Sequence, residues 1–426
     1  MEPDGAPKHG VASTSGNFRR SLQLLGTRRF GTFWFASFLS NIGTWAQQVA
    51  QPWLLLNLGA SSFLLGVDAF AMGAPVLALT LVGGYLADRA DRRRVIASFQ
   101  SLQMLCPTLI VVLLWAGGLR PWIVIAMSLI VGITDALSMP SFQSIVPSIV
   151  TREQLPAGIA LNSTQFNLSR IVGPAVAGML MVGYGAAGAF TVSALSYLPF
   201  ILVALWILPR GARPSPARAG FDRAALVAAV RAVARDRALR GALLTVLTGS
   251  FLCAPLLTFA PVLVMQSFRG NIGHFSLVMG AFGAGGLLGA TALLGISPRV
   301  DRRALANALA LAYACTVVFA ALTTGFWMLP VLFVLAGAAM TACNSSANTL
   351  LLAEAPPELR GQAVSLFMVA VRGGSSAGSL LSGLGVTLLG VRHALLVDGL
   401  LALALQWGIG RRWRRGRDGA LPPGMR

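Results

Sequence analysis

The stretch Phe63–Arg94 reads FLLGVDAFAMGAPVLALTLVGGYLADRADRRR. Its first part, 63–87, carries one charge, Asp68, and at about 1.5 Å rise per residue is long enough to cross a hydrocarbon core of about 30 Å. It then ends in a run holding Arg89, Arg92, Arg93 and Arg94. An apolar run closed by arginines is the outline of a membrane span with its basic flank. The pattern repeats along the chain. Apolar runs fall at 30–56, 63–87, 94–116, 121–145, 158–183 and 186–208, and again at 242–266, 273–296, 303–325, 327–350, 361–389 and 391–410. The expectation is an all-α membrane protein with twelve transmembrane helices.

Composition agrees. The chain is 55% hydrophobic and 11% charged, against about 25% charged for soluble domains. A net charge of +19 raises nucleic-acid binding as a reading, but the placement of charge argues against it. If every run spans and the N-terminus is cytoplasmic, 28 basic residues fall inside and three, Arg120, Arg269 and Arg392, fall outside. This is the positive-inside pattern, with both termini cytoplasmic. The first 29 residues show no short apolar core of a cleavable signal. The four cysteines and three histidines are isolated, without disulfide or metal-ligand spacing, so no metal and no cofactor is expected.

The longest polar gap, 209–241, separates six spans from six. Pro209, Gly211, Pro214, Pro216 and Gly220 make its start turn-rich. Phe221–Arg240 then reads as a basic amphipathic helix on the anionic cytoplasmic leaflet, or as a bridge between bundles. The expected layout is a cytoplasmic tail (1–29), a six-helix bundle (30–208), the linker (209–241), a second bundle (242–410) and a basic tail (411–426). The halves echo each other: Arg89-Ala90-Asp91-Arg92-Arg93 after span 2 is matched by Arg299-Val300-Asp301-Arg302-Arg303 after span 8, and Arg170 in span 5 by Arg372 in span 11. Such an internal duplication is the usual plan of a transporter, with the substrate near the bilayer midplane between the halves.

The loop Gly83-Gly84-Tyr85-Leu86-Ala87-Asp88-Arg89-Ala90-Asp91-Arg92-Arg93-Arg94 resembles the G-x-L-a-D-r-x-G-r-r signature of the major facilitator superfamily. Asp91 stands where glycine is usual. The resemblance implies the major facilitator fold, two pseudo-symmetric six-helix bundles, and a conformational latch formed by Gly84, Asp88, Arg89, Arg92 and Arg93. Trp45–Leu54 and Asn167–Pro174 look like the first and fifth spans of the enterobactin-exporter-like branch. Gly173, Pro174 and Gly178 partly match the antiporter motif of span 5, with Ser169 where a glycine is expected. The resemblance implies a membrane transporter of a branch whose members are mostly exporters, and the leading expectation is a bacterial inner-membrane monomer that exports small organic molecules coupled to protons.

Five ionisable residues lie within spans and are functional candidates by their cost there: Asp68, Asp135, Arg170, Arg372 and Asp398. Asp135 and Arg170 sit at similar depths either side of the loop at Thr151, so an Asp135–Arg170 pair is geometrically allowed, either structural or a proton-sensitive switch. Asp68 and Asp398 lie nearer the outer surface, as proton carriers or as solvated groups at a cavity mouth. Asn41, Thr44, Gln48 and Gln51 share one face of span 1, facing a cavity or another helix, with cavity lining favoured. Trp45 stacks on a substrate ring or packs structurally, and Asn344 and Asn348 in span 10 form a weaker polar stripe. Gly285 and Gly289 read as a helix-packing pair. Lys8 is the single lysine, so a P-loop is excluded, and nothing suggests an enzyme. Arg170 and Arg372 suit an anionic substrate such as a catecholate siderophore, whereas Asp68 and Asp135 suit a cationic drug. The alternatives are an importer or uniporter on the same fold, and a non-transporting sensor or scaffold.

Overall fold

The computed structural model describes residues 23–207, 231, 235–297, 300–356 and 360–418. Among them, ten helices are long and apolar enough to cross a membrane. One, Leu155–Trp206, has 52 residues, more than twice what one crossing needs. Its helical geometry breaks at Gly185, where φ is 65°, a conformation open to glycine at little cost. It is therefore two passages. The first helix, Arg28–Asn57, has 30 residues, and its amides, Asn41, Gln47, Gln48 and Gln51, dilute its apolar character. Counted this way there are twelve passages. They are α1 (Arg28–Asn57), α2 (Ser62–Arg89), α3 (Arg92–Trp115), α4 (Pro121–Gln143), α5 (155–184), α6 (186–206), α7 (237–267), α8 (Ile272–Leu294), α9 (Arg302–Leu322), α10 (Met328–Glu354), α11 (360–389) and α12 (Val391–Asp418). The chain has the major facilitator fold.

The ends follow the expected spans within a few residues, except that the last helix continues to Asp418, into the stretch expected as the basic tail from 411. Leu24, placed by sequence in the tail, is buried in the core with Phe30. The expected linker helix at 221–240 lies largely outside the described residues. Two passages are less regular than the hydrophobic pattern suggests. In α7, Pro255 and Pro261 remove backbone donors, and the helix contains π-turns at Gly249–Cys253 and Leu263–Ser267. In α11 a π-turn at Val369–Gly373 carries Arg372. Such turns insert one residue and rotate the side chains beyond it to a new direction.

The duplicated R-x-D-R-R loops are alike in structure. Asp91 (φ −62°, ψ 105°) and Asp301 (φ −63°, ψ 105°) are the N-caps of α3 and α9. Their Oδ1 atoms accept from the backbone N–H of Arg93 at 3.0 Å and of Arg303 at 2.9 Å. Asp91 thus replaces the usual glycine without strain, since its φ is negative and a carboxylate at the helix start is favourable.

Prolines organise the packing. A proline at position i leaves the carbonyl at i−4 without its helical donor. Four such carbonyls face a glycine of a neighbouring helix: Ala71 (freed by Pro75) faces Gly132, Ala136 (Pro140) faces Gly83, Arg170 (Pro174) faces Gly283, and Phe251 (Pro255) faces Gly378. The missing side chain lets the backbones approach, and Cα–H···O contact partly replaces the lost bond. Gly285 and Gly289 pack on Val334 and Ala338 of α10 as expected from sequence.

The two sets of helices, α1–α6 and α7–α12, meet along α2/α11 and along α5/α8. Gly66 touches the backbone of Ser379, Leu380 and Gly383, and Gly178 lies against Ser276. The buried core is continuous at the end remote from the arginine-rich loops, where residues of both sets, including Leu55, Phe190, Phe259 and Phe275, form one cluster. At the arginine-rich end the core divides. Phe30, Ile96 and Phe200 belong to one cluster and Leu239, Leu351 and Phe367 to another. Among the described residues the halves therefore close at the far end and part toward the arginine-rich end.

Candidate functional site

The ionisable residues within the passages fall into three environments. Asp68 on α2 is 7% exposed and is held by its neighbours. Ser128 on α4 donates to its Oδ1 at 2.5 Å, and Gln51 on α1 donates to its Oδ2 at 2.8 Å. Gln47 donates to Gln51 at 3.4 Å and accepts from Ser193 of α6 at 2.8 Å. Asp68 thus anchors a buried chain joining α1, α2, α4 and α6. It is not solvated at a cavity mouth, and Gln51 belongs to this helix–helix network instead of lining a cavity. Asp398 on α12 is half-buried and accepts from Ser382 of α11 at 2.7 Å.

The second environment joins the halves. Arg372, on the π-turn of α11, lies 3.8 Å from Asp135 of α4. Their side chains are 43% and 49% exposed, so the pair faces the open space toward the arginine-rich end. Gln103 of α3 donates to Asp135 at 3.2 Å and to Thr134 at 3.1 Å. The Asp135–Arg170 pair that the sequence allows is not formed. Equal depth does not imply a shared face: α4 packs chiefly on α2 and α3, whereas Leu155–Trp206 packs on α1, α3 and α8. Gln103 was missed in the sequence, although Gln100 and Gln103 are its polar signal in an apolar run.

Arg170 is the third environment. Its guanidinium lies 5.3 Å from the ring centroid of Trp45 on α1 and 5.4 Å from that of Phe282 on α8. A side chain at Gly286 would meet both Arg170 Nη1 and Thr341 Oγ1 of α10. The Gly-Pro motif sets this up. Gly173 fits against Trp45 and the α1 backbone, Pro174 frees the Arg170 carbonyl toward Gly283, and Gly178 meets Ser276.

Of the remaining polar candidates, Asn41 donates to Gln165 at 3.2 Å, and Thr44 bonds to the Ser40 carbonyl at 3.0 Å. Trp45, Gln48, Asn344 and Asn348 are half-buried, and Asn348 Oδ1 is buried without a hydrogen-bond partner. Of the latch residues, Gly84 and the side chains of Asp88, Arg89 and Arg92 lie outside the described part of the structure. Arg93 donates to the Leu205 carbonyl at 2.6 Å, placing a cation at the C-terminal end of α6.

Comparison with known proteins gives consistent kinship. Residues 21–414 match the family model described as transmembrane secretion effector. The staphyloferrin A transporter of Staphylococcus aureus is 28% identical over 174 residues, covering 41% of this chain and 44% of that protein. The macrolide efflux protein A of Streptococcus pyogenes is 23% identical over 382 residues, covering 88% and 94%. Among solved structures, the nucleoside transporter NupG superposes with a TM-score of 0.74 at 13% identity, covering 90% of this chain and 100% of that one.

Proposed function

The chain belongs to the transmembrane secretion effector family of major facilitator transporters, and on that footing we propose that it exports small organic molecules across a bacterial plasma membrane by alternating access, driven by protons. It is a membrane transporter and not an enzyme. The observation that carries the alternating-access reading is the core, continuous at one end and divided at the other. The moving units are 30–208 and 242–410, joined by 209–241, and the protein works as a monomer. The positive-inside rule puts the arginine-rich end in the cytoplasm, so the state described is open inward, ready to load an exported substrate. The cytoplasmic loops face an anionic leaflet that suits their arginines. In the inward state Asp91 caps α3 and Arg93 ties it to α6, which supports a latch role for Gly84, Asp88, Arg89, Arg92 and Arg93.

Coupling rests on Asp135 and Arg372. They sit on different halves, so their pair holds one access state together. Protonating Asp135 removes the attraction and favours the state in which the two part. Asp68 and Asp398, each on hydroxyl donors within one half, are secondary proton sites. The export reading follows the efflux proteins this chain resembles. The experiment is accumulation of candidate compounds in cells with and without the protein. Export predicts lower accumulation that reverses when the proton gradient is collapsed. Higher accumulation would make the protein an importer.

A further inference from the structure

Resting on the transporter reading, we propose that Arg170 is the anion-binding group of the transport site and that the substrate is a small organic anion bearing a carboxylate beside an aromatic ring. Among the described residues, the ion pairs of the passages leave Arg170 without a carboxylate. Asp135 is taken by Arg372, while Asp68 and Asp398 are held by hydroxyl and amide donors. Asp68 and Asp398 each sit on donors of their own half, so of the charged groups described where the halves meet, Arg170 is the one without a partner of opposite sign. This favours the anionic of the two substrate classes open at the level of sequence. Asp135 is paired with Arg372, Asp68 and Asp398 are held within their own halves, and the group free between the halves is a guanidinium.

The surroundings have the character of a built site. A guanidinium out of bulk water is costly unless paired, and two ring faces return only part of that cost. Its fork of N–H donors matches a carboxylate in bidentate fashion. Thr341 Oγ1, next to Arg170 across Gly286, is buried with no hydrogen-bond partner. A carboxylate on Arg170 would accept from the Thr341 hydroxyl, and Trp45 and Phe282 would flank the attached ring. Gly286 keeps the place open, since a Cβ there would sit 3.2 Å from Arg170 Nη1. Arg170 lies on α5 and Gly286 and Thr341 on α8 and α10, so an anion bound here touches both moving units.

The test is calorimetric titration of the whole protein in lipid nanodiscs with salicylate, benzoate and citrate, and with tetraphenylphosphonium as the cationic probe. The expected result is binding of the aromatic carboxylates in preference to citrate, no binding of the cation, and a loss of affinity of about tenfold or more in Arg170→Gln, as a charge-assisted bidentate contact implies. Arg170→Lys should keep part of the affinity, and Thr341→Val, which leaves the charge in place, should weaken it less. If Arg170→Gln does not fold, Arg170→Lys and Thr341→Val carry the test. Binding of the cation in preference to the carboxylates, binding of none of the carboxylates, or carboxylate affinity unchanged in every folded variant would overturn the proposal. Proton-driven export of a cation in the cellular assay would sink the anion site and leave the transporter standing. Carboxylate binding without transport of any compound would do the reverse.

Discussion

Asp135 can be tested against both of its candidate partners. The structure pairs it with Arg372 and leaves Arg170 elsewhere. In double-mutant cycles, Asp135→Asn with Arg372→Gln should show coupling of up to about 1 kcal/mol, discounted because both side chains are nearly half exposed. Asp135→Asn with Arg170→Gln should be additive. Coupling in the second cycle and not the first would reverse the assignment. Asp135→Asn should also abolish export driven by a proton gradient while sparing exchange down a substrate gradient; unimpaired proton-driven export would move coupling to Asp68 or Asp398. The five ionisable residues were legible because charge in an apolar run is conspicuous. Their partners were not, because sequence gives depth along a helix while azimuth depends on which helices become neighbours. Gln51 illustrates the same limit: its place on the polar stripe of α1 was readable, and its burial against Asp68 and Ser128 was not.

At the scale of elements, the proline-to-glycine contacts explain how irregular helices pack closely. Gly378 lies against the Phe251 carbonyl that Pro255 frees, so any side chain there meets backbone that cannot turn away. Gly378→Val should destabilise the protein by about 1–3 kcal/mol, as overpacking does, and lower its midpoint of thermal unfolding in detergent. Gly183, which has nothing within 4 Å of a built Cβ, is the control: Gly183→Ala should cost nothing and gain up to about 1 kcal/mol of helix propensity. Equal effects at the two positions would mean that the close approach is not what Gly378 provides. Helix boundaries were readable because Asp91, Asp301 and the arginines just after them punctuate the apolar runs. The π-turn under Arg372 was not, since no residue type marks where a helix takes an extra residue. Asp91 stands at the fingerprint position where glycine is usual, and its negative φ and capping bond to Arg93 let the chain turn there without one.

For the whole molecule, twelve passages and a two-part division were legible from run lengths and one long polar gap. Which end is closed was not, because both ends of each helix are apolar in the same way and the difference lies in contacts between halves. The closed end makes its own prediction. The Phe63 N–H of α2 donates to Thr387 Oγ1 of α11 at 3.0 Å, across the two halves, and the Trp53 ring of α1 stacks on the Phe275 ring of α8 at 5.8 Å. In a background with Cys106, Cys253, Cys315 and Cys343 replaced, Phe63→Cys with Thr387→Cys should cross-link readily, and from the periplasmic side if the arginine-rich loops are cytoplasmic. A single cysteine near 390 should then label in intact cells and one near 220 should not. Labelling at 220 from outside would invert the assigned sidedness. If export requires the far end to part, the cross-linked protein should load substrate from the cytoplasm, fail to release it, and recover on reduction. Transport at full rate with the link intact would mean that the α2/α11 contact is permanent structure, and that release takes place along the α5/α8 seam.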